Sequence, residues 1–458
     1  MQMKAHINSA TRPAKNITRG LTLLALLALA QGAFAQNQTT ITVDCPPLTD
    51  DPTGRAVYMQ NIKDFEAAHP GVTVEPRDVC WDPATFPARL AGGQIETAFL
   101  VQFTDPNGII TRNQAADITD TVRSWEHFSD LNPNALRVFE DAEGNIYGMP
   151  TGGYALGLVY NRKLFAEAGL DPDQPPTTWD ELREYAAQLT DRSRGIAGFA
   201  QLSTGNQGGW HFTAYYASFG GGELVEQQDG RWVATFNDET GVEVLQMIKD
   251  MRWTEEVLTD EVLLTQDNTK ELLSAERAAM MIIPAGAVAE MVLTYGINPE
   301  EFGAGPLPQS GGNATLIGGA GLMFNPRASD EQLEAGFDWI EYNYFDPQVY
   351  EEQLQADIEA ELVVGIPEFP ILSGELEERR AALRAEYANI PVENFAPYEE
   401  GTAELTLQPE PPIEPQQLYQ ILDSAVQSVL TDRNADPQAL LDQAAQQYTA
   451  QVLNRINQ

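Results

Sequence analysis

Residues able to do covalent chemistry are few in this chain. Four histidines (His6, His69, His127 and His211) and two cysteines (Cys45 and Cys80) are spread over 458 residues. The three histidines beyond residue 35 have no zinc-ligand spacing, so no metal is expected. Carboxylates are the opposite case, with 67 Asp and Glu. A glycosidase needs two carboxyls at a set separation, and in so acidic a chain such a pair could be drawn almost anywhere. Tyr216-Ala217-Ser218-Phe219-Gly220 is half of a nucleophile elbow, but the first Gly is missing. It reads as helix interior. There is no Walker loop. No catalytic constellation and no cofactor are therefore expected. What remains is the chemistry of noncovalent recognition: Trp and Tyr rings, and Asp, Asn and Gln side chains.

The elements that must position these groups begin with the N-terminus. Lys4, Arg12, Lys15 and Arg19 precede Leu21 to Ala30, an apolar run broken only by Thr22, and Ala33-Phe34-Ala35 follows. This is a charged region, a short apolar region and a small-x-small cleavage site, so residues 1–35 read as a secretory signal removed after Ala35. A bilayer span needs about twenty apolar residues, which no segment approaches. A lipid anchor would need a Cys at the cleavage site, and the first is Cys45. The mature protein is expected to be exported, unlipidated, without a membrane span and retained in a periplasm.

Composition bounds the rest. The length suggests two or three domains, and 43% hydrophobic residues is a globular share. The formal charge is −40; the signal supplies +4 of it, which leaves residues 36–458 at −44. Such a chain repels nucleic acid and anionic lipid. The acids are scattered, which favours a solvated surface over an acidic binding face.

The pattern along the chain is α/β. Thr40 to Cys45 reads as a first strand, Tyr58, Ile62 and Phe65 as one face of a helix, and Val72 to Val79 as a second strand. Parallel neighbours in such a unit end on the same sheet edge. Cys45 and Cys80 then sit side by side, and an exported chain with two cysteines invites one disulfide. Thr97 to Val101, Tyr154 to Tyr160, Ala278 to Ile283 and Gly318 to Phe324 read as buried strands. Helices are expected over Gly209 to Phe219, Leu333 to Tyr344 and Glu375 to Asn389, then from Leu418 and from Asp436-Pro437. Thr402 to Pro415 reads as loop, because Pro409, Pro411, Pro412 and Pro415 exclude helix.

The stretch from Gly144 to Leu189 is the most specific: GNIYGMPTGGYALGLVYNRKLFAEAGLDPDQPPTTWDELREYAAQL. Thr178 and Glu181 have capping-box spacing. The ordered set closely resembles the extracellular solute-binding proteins that deliver sugars to ABC importers, the maltose-binding-protein-like family. There an "xGxxYGxP" turn leads into a hinge, an "LxYNxxLFxxAGL" strand and helix follow, and "PPTTWDEL" opens the next helix. Glu276 to Met291, Thr315 to Pro326 and Pro411 to Asp442 resemble later parts of the same family pattern.

The resemblance implies a two-lobed α/β periplasmic-binding-protein fold of type II-like layout, with discontinuous lobes and ligand in the interdomain cleft. Residues 36–152 and 320–360 then form one lobe, and 153–319 and 361–458 the other. The lobes are expected to close about Gly152-Gly153 and Gly318-Gly319. In open α/β sheets ligands sit outside the carboxyl ends of strands, which nominates Asp50, Trp81, Gln102, Phe103, Asp105, Gly286 and Gly319. The family's cleft-facing segments add Tyr154, Asn206, Gln207, Trp210, His211 and Tyr419. Trp81 could equally cover the disulfide. Trp125, Trp179, Trp232, Trp253 and Trp339 look structural, and Tyr215, Tyr216 and Phe219 look like core.

The implied ligand is a mono- or oligosaccharide, its C–H faces packed on rings and its hydroxyls bonded by amides and carboxylates. The implied partners are the permease subunits of an importer, and a monomer is expected. Pro284-Ala285-Gly286 lacks the aromatic that family members with long oligosaccharides often carry, which weakens a maltose-like ligand. A non-sugar solute such as a polyamine or peptide is the alternative, and a secreted hydrolase is a distant third.

Overall fold

A computed structural model describes residues 38–47, 52–82 and 85–457. The signal segment 1–35 and Asp50 lie outside the described residues.

The first unit is β1 (Thr39–Asp44), helix α1 (Pro52–Ala68) and β2 (Val72–Arg77). The two strands run parallel, from Thr39 opposite Val72 to Asp44 opposite Arg77. Tyr58, Ile62 and Phe65 are the buried face of α1. Just past the strand ends, Cys45 and Cys80 form a disulfide, with Cα atoms 4.4 Å apart. Next come β3 (Ala98–Gln102), α2 (Pro106–Thr111) and β4 (Gly148–Ala155).

The expected single strand from Tyr154 to Tyr160 is two strands. β4 ends at Ala155, and β5 (Gly157–Asn161) begins after Leu156. The break is where the chain changes sheets. Leu156 is held by the neighbouring strand of the sheet it leaves: its N–H donates to Leu316 O (3.0 Å), and its carbonyl accepts from Thr315 Oγ1 (2.7 Å). A Cβ at Gly157 would stand 2.6 Å from both the Gly305 carbonyl oxygen and the Tyr398 ring, so only Gly fits the entry to the second sheet.

The second sheet gathers local elements. Helix α3 (Trp179–Leu189) starts at the Thr178–Glu181 capping box, with both reciprocal bonds present. β6 (Ala197–Ala200), α4 (Gln207–Ser218), α5 (Glu239–Trp253), α6 (Gln266–Ser274), β7 (Ala278–Ile283), α7 (Ala287–Tyr295) and β8 (Phe302–Pro306) follow. The sheet order is β8-β5-β7-β6. Every residue of β5, β6, β7 and β8 is buried, which explains their continuous apolar and small composition.

The chain then returns. β9 (Ala314–Phe324) lies antiparallel to both β3 and β4. α8 (Asp330–Ile340) packs on β1 and α9 (Pro347–Glu359) on α1, and Trp339 stacks edge-on against Tyr58 and Phe65 at 5.5 and 5.3 Å. α10 (Gly374–Glu386) packs on α9 and on the Phe128–Asp130 turn. Asn132 binds the Pro370 and Ile371 carbonyls. Residues 361–391 thus pack with the first sheet, although the sequence reading places 361 onward in the other lobe. An amphipathic helix shows that one face is buried and not which sheet buries it.

The chain crosses again at α11 (Ala396–Ala403), which packs on β8 while the Tyr398 hydroxyl donates to Ala155 O (2.8 Å). The expected loop from Thr402 to Pro415 contains a further strand, β10 (Thr406–Gln408), parallel to Ala314–Leu316 of β9. Proline excludes helix there but not an edge strand that ends before it. The first sheet is therefore ordered β10-β9-β3-β1-β2, with β4 also on β9. Helices α12 (Pro415–Thr431) and α13 (Pro437–Tyr448) close on α4 and α5. No helix among the described residues is long and apolar enough to cross a membrane.

Candidate ligand-binding cleft

A cavity of about 610 Å³ opens between the two sheets. Strand ends supply one wall: Trp81 beyond β2, Gln102, Phe103 and Thr104 at the end of β3, Tyr154 on β4 and Gly319 on β9. The other wall comes from the starts of α4, α6, α7 and α12. These bring Asn206, Gln207, Trp210, Gln266, Gly286, Glu290, Gln416 and Tyr419, with Glu410 from the loop after β10.

The aromatic groups are set by close packing. Tyr154 sits opposite Gly318 in the β4–β9 pair. A Cβ at Gly318 would stand 2.3 Å from the Tyr154 hydroxyl oxygen, so glycine makes room for the ring. A Cβ at Gly319 would likewise meet the Gly152 carbonyl oxygen at 2.3 Å. Gly152, Gly153, Gly318 and Gly319 all lack a left-handed φ. Close approach, rather than a special backbone angle, explains glycine at Gly318 and Gly319. The Tyr154 and Trp210 rings meet edge to face at 6.0 Å.

The segment that presents Asn206, Gln207 and Trp210 is held by a carboxylate. Asp423 of α12 accepts from the backbone N–H of Asn206 (2.7 Å) and of Gly209 (2.8 Å) at the start of α4. An anionic acceptor at a helix N-terminus satisfies otherwise orphaned donors. Asn206 has φ 71°, a left-handed angle that Asn tolerates. Its Nδ2 donates to Gln416 Oε1 (3.0 Å), and Gln207 Oε1 accepts from Gln266 N (2.7 Å).

Two acids line the cavity in different states. Glu290 is paired with Lys270 at 2.6 Å. Glu410 accepts from the Tyr419 hydroxyl, and burial pushes its carboxyl up to about 8. Among the described residues no Lys or Arg lines the cavity.

The cavity lining brings together Trp81, Gln102, Phe103, Tyr154, Asn206, Gln207, Trp210, Gly286, Gly319 and Tyr419 of the sequence-nominated residues. His211 is a correction. It is fully buried behind the wall, with Nδ1 facing the Tyr215 hydroxyl (3.1 Å) and Gln201 Nε2 (3.3 Å). Desolvation depresses its pKa to about 3, which keeps the ring neutral. Successive helical residues are turned by about 100°, so Trp210 and His211 cannot both face the cleft. Asp105 also stands outside the lining. Its Oδ2 accepts from Gln102 N (3.0 Å), and its carboxyl faces the Trp81 indole from behind, with burial raising it to about 6.

Thr104, beside Gln102 and Phe103 at the end of the third strand, follows from the same strand-end rule, whereas sequence reasoning missed Gln266, Glu290, Glu410 and Gln416. Gln416 lies one turn before Tyr419 and could have been found from helical spacing. Glu410 is the acid inside the proline run, read only as loop. Among the described residues no group of three His, Cys, Asp or Glu could hold a metal.

The bacterial extracellular solute-binding protein model matches residues 49–348. The chain belongs to this family. Among curated relatives, the sn-glycerol-3-phosphate-binding periplasmic protein UgpB of Pectobacterium atrosepticum is 29% identical over 202 residues, 42% of this chain and 43% of the relative. The match thus spans under half of that relative's length. Two solved structures share the fold over 90% of this chain. An ABC transporter solute-binding protein from Thermotoga lettingae bound to alpha-D-tagatose has TM-score 0.70, 19% identity and 99% of its own chain covered. An ABC substrate-binding protein from Listeria monocytogenes in complex with cycloalternan has TM-score 0.71, 19% identity and 98% covered. The solute-binding family fold is two α/β lobes with a cleft between them, and the Trp81–Trp210 cavity occupies that cleft.

Proposed function

We propose that this chain captures an uncharged carbohydrate in the interlobe cleft and hands it, unchanged, to the permease of an ABC importer. One observation carries the reading. Five aromatic residues (Trp81, Phe103, Tyr154, Trp210 and Tyr419) and the amides of Gln102, Asn206, Gln207, Gln266 and Gln416 share a cavity that, among the described residues, no Lys or Arg lines. Rings suit sugar C–H faces, and amides suit hydroxyls. Structures of the same fold hold alpha-D-tagatose and cycloalternan. Several curated relatives are named for a phosphorylated polyol, but a phosphate in this cavity would lack a cation among the described lining residues.

The finer reading is an exported, unlipidated periplasmic monomer cleaved after Ala35, with no turnover of its ligand. The direct test is a saccharide panel read by melting temperature. Bound ligand at a hundredfold excess over Kd adds about 2.7 kcal/mol. If polyamines or peptides stabilise the protein and no saccharide does, the non-sugar alternative stands instead. Small-angle scattering should show a smaller radius with saturating ligand as the lobes close.

A further inference from the structure

We propose that the Glu410 carboxyl, held against the Tyr419 hydroxyl, is the specificity-determining polar contact for a ligand hydroxyl in this cleft. The proposal rests on the carbohydrate reading above and goes further by naming a residue that sequence reasoning passed over.

Glu410 is held in place from several sides. β10 pairs with β9 just before it, and Pro409, Pro411 and Pro412 stiffen its backbone. The following loop is tied across the cleft by Asn107 of α2, which donates to Pro412 O, and from below by Tyr448, which donates to Ile413 O. Arg455 pairs with Glu414 at 2.7 Å. A carboxyl on so restrained a loop is preorganised for its ligand.

The electrostatic setting separates Glu410 from Glu290. Lys270 neutralises Glu290 and lies 3.1 Å from Asp267 as well. Glu410 is faced by the Tyr419 hydroxyl from α12, by the Trp210 indole from α4, whose hydrogen bond opposes the rise, and by Tyr154 from β4, and none of these is a cation. A carboxyl in that position keeps its proton near neutrality, and burial raises it to about 8. A protonated carboxyl offers both a donor and an acceptor, which matches a sugar hydroxyl. Ligand that covers the cleft desolvates it further and favours the protonated form. Affinity should therefore fall as pH rises through about 8.

The test is titration calorimetry from pH 6 to pH 9 with the tightest saccharide from the panel. Wild-type affinity should fall up to about tenfold between pH 7 and pH 9. Glu410→Gln should bind within about threefold of wild type at pH 7 and lose that pH dependence, because the amide keeps the donor and acceptor but cannot ionise. Glu410→Ala should bind at least tenfold more weakly at pH 7. Tyr419→Phe removes the phenol donor that favours the carboxylate, so the fall should move to higher pH. This variant supplies the readout if the Glu410 variants do not fold. A fall that survives Glu410→Gln, wild-type affinity in Glu410→Ala, or an unmoved midpoint in Tyr419→Phe overturns the proposal and leaves the carbohydrate reading intact. Failure of every saccharide to bind wild type removes the carbohydrate reading, and this proposal with it.

Discussion

Gly209 and Tyr419 meet backbone to backbone: a Cβ at Gly209 would stand 2.2 Å from the Tyr419 carbonyl oxygen. This approach seats the start of α4 on α12, and it places Trp210 and Tyr419 on one wall of the cleft. Gly209→Ala must push the helices apart. It should lower stability by about 1–3 kcal/mol, the range for overpacking a close contact, and it should weaken ligand binding as well. Urea unfolding and a ligand titration check both. A variant as stable as wild type would mean that the helices separate without strain.

Trp210→Ala removes the ring that meets Tyr154 at 6.0 Å. Saccharide binding should weaken by about 1–3 kcal/mol, the scale of losing one large aromatic contact. Calorimetry with the ligand found in the panel measures it. The control is His211→Gln. His211 is fully buried behind the wall, so that change should act on stability rather than on direct contact.

The Cys45–Cys80 bond closes a loop with a sequence separation of 35. Its reduction should lower stability by about 3–4 kcal/mol in the chain-entropy model. Thiol titration of unfolded, unreduced protein should find no free thiol. Reduction should also loosen Trp81, the next residue along, and weaken ligand binding. Stability that falls while affinity holds would separate the bond from the site.

Stability should decline as pH rises above 6.5. Burial lifts Asp44 to about 7 and Glu410 to about 8, so the folded state holds protons that the unfolded chain has released. A raised carboxyl gives its full stability below the unfolded value near 4 and loses it on the way up to the folded value. The slope reaches about 1.4 kcal/mol per pH unit for each such proton. His211 works in the opposite sense. Its depressed value near 3 means that stability is lost as pH falls below 6.5. The two effects oppose each other between about 4 and 6.5, and the acids act alone above that. Asp44→Asn keeps the acceptor for Leu100 N (2.7 Å) and should flatten the decline between pH 6.5 and 7.5. Urea midpoints across pH measure the slope.

Much of this protein was legible along the chain. Apolar runs such as AAMMII gave the buried strands, and Thr178 with Glu181 marked a helix start that forms as read. The two cysteines fell at adjacent strand ends because β1 and β2 are joined by one helix. The motif from Gly144 to Leu189 carried the family. Trp81, Tyr154, Trp210 and Tyr419 line one cavity because strand ends and helix starts are where an α/β sheet gathers side chains.

The tertiary structure decided what no local pattern encodes. Asp423 holds the Asn206 amide across 217 residues of sequence, and Asn107 reaches Pro412 across 305. Glu410 became a cavity group only because β10 docks beside β9. His211 left the site because helical rotation turns it into the core. Residues 361–391 pack on the side of the first sheet, where Asn132 and the turn before it meet them. Periodicity reports that a face is buried. Which partner buries it is set by contacts between segments far apart in sequence, and those exist only once the chain has folded.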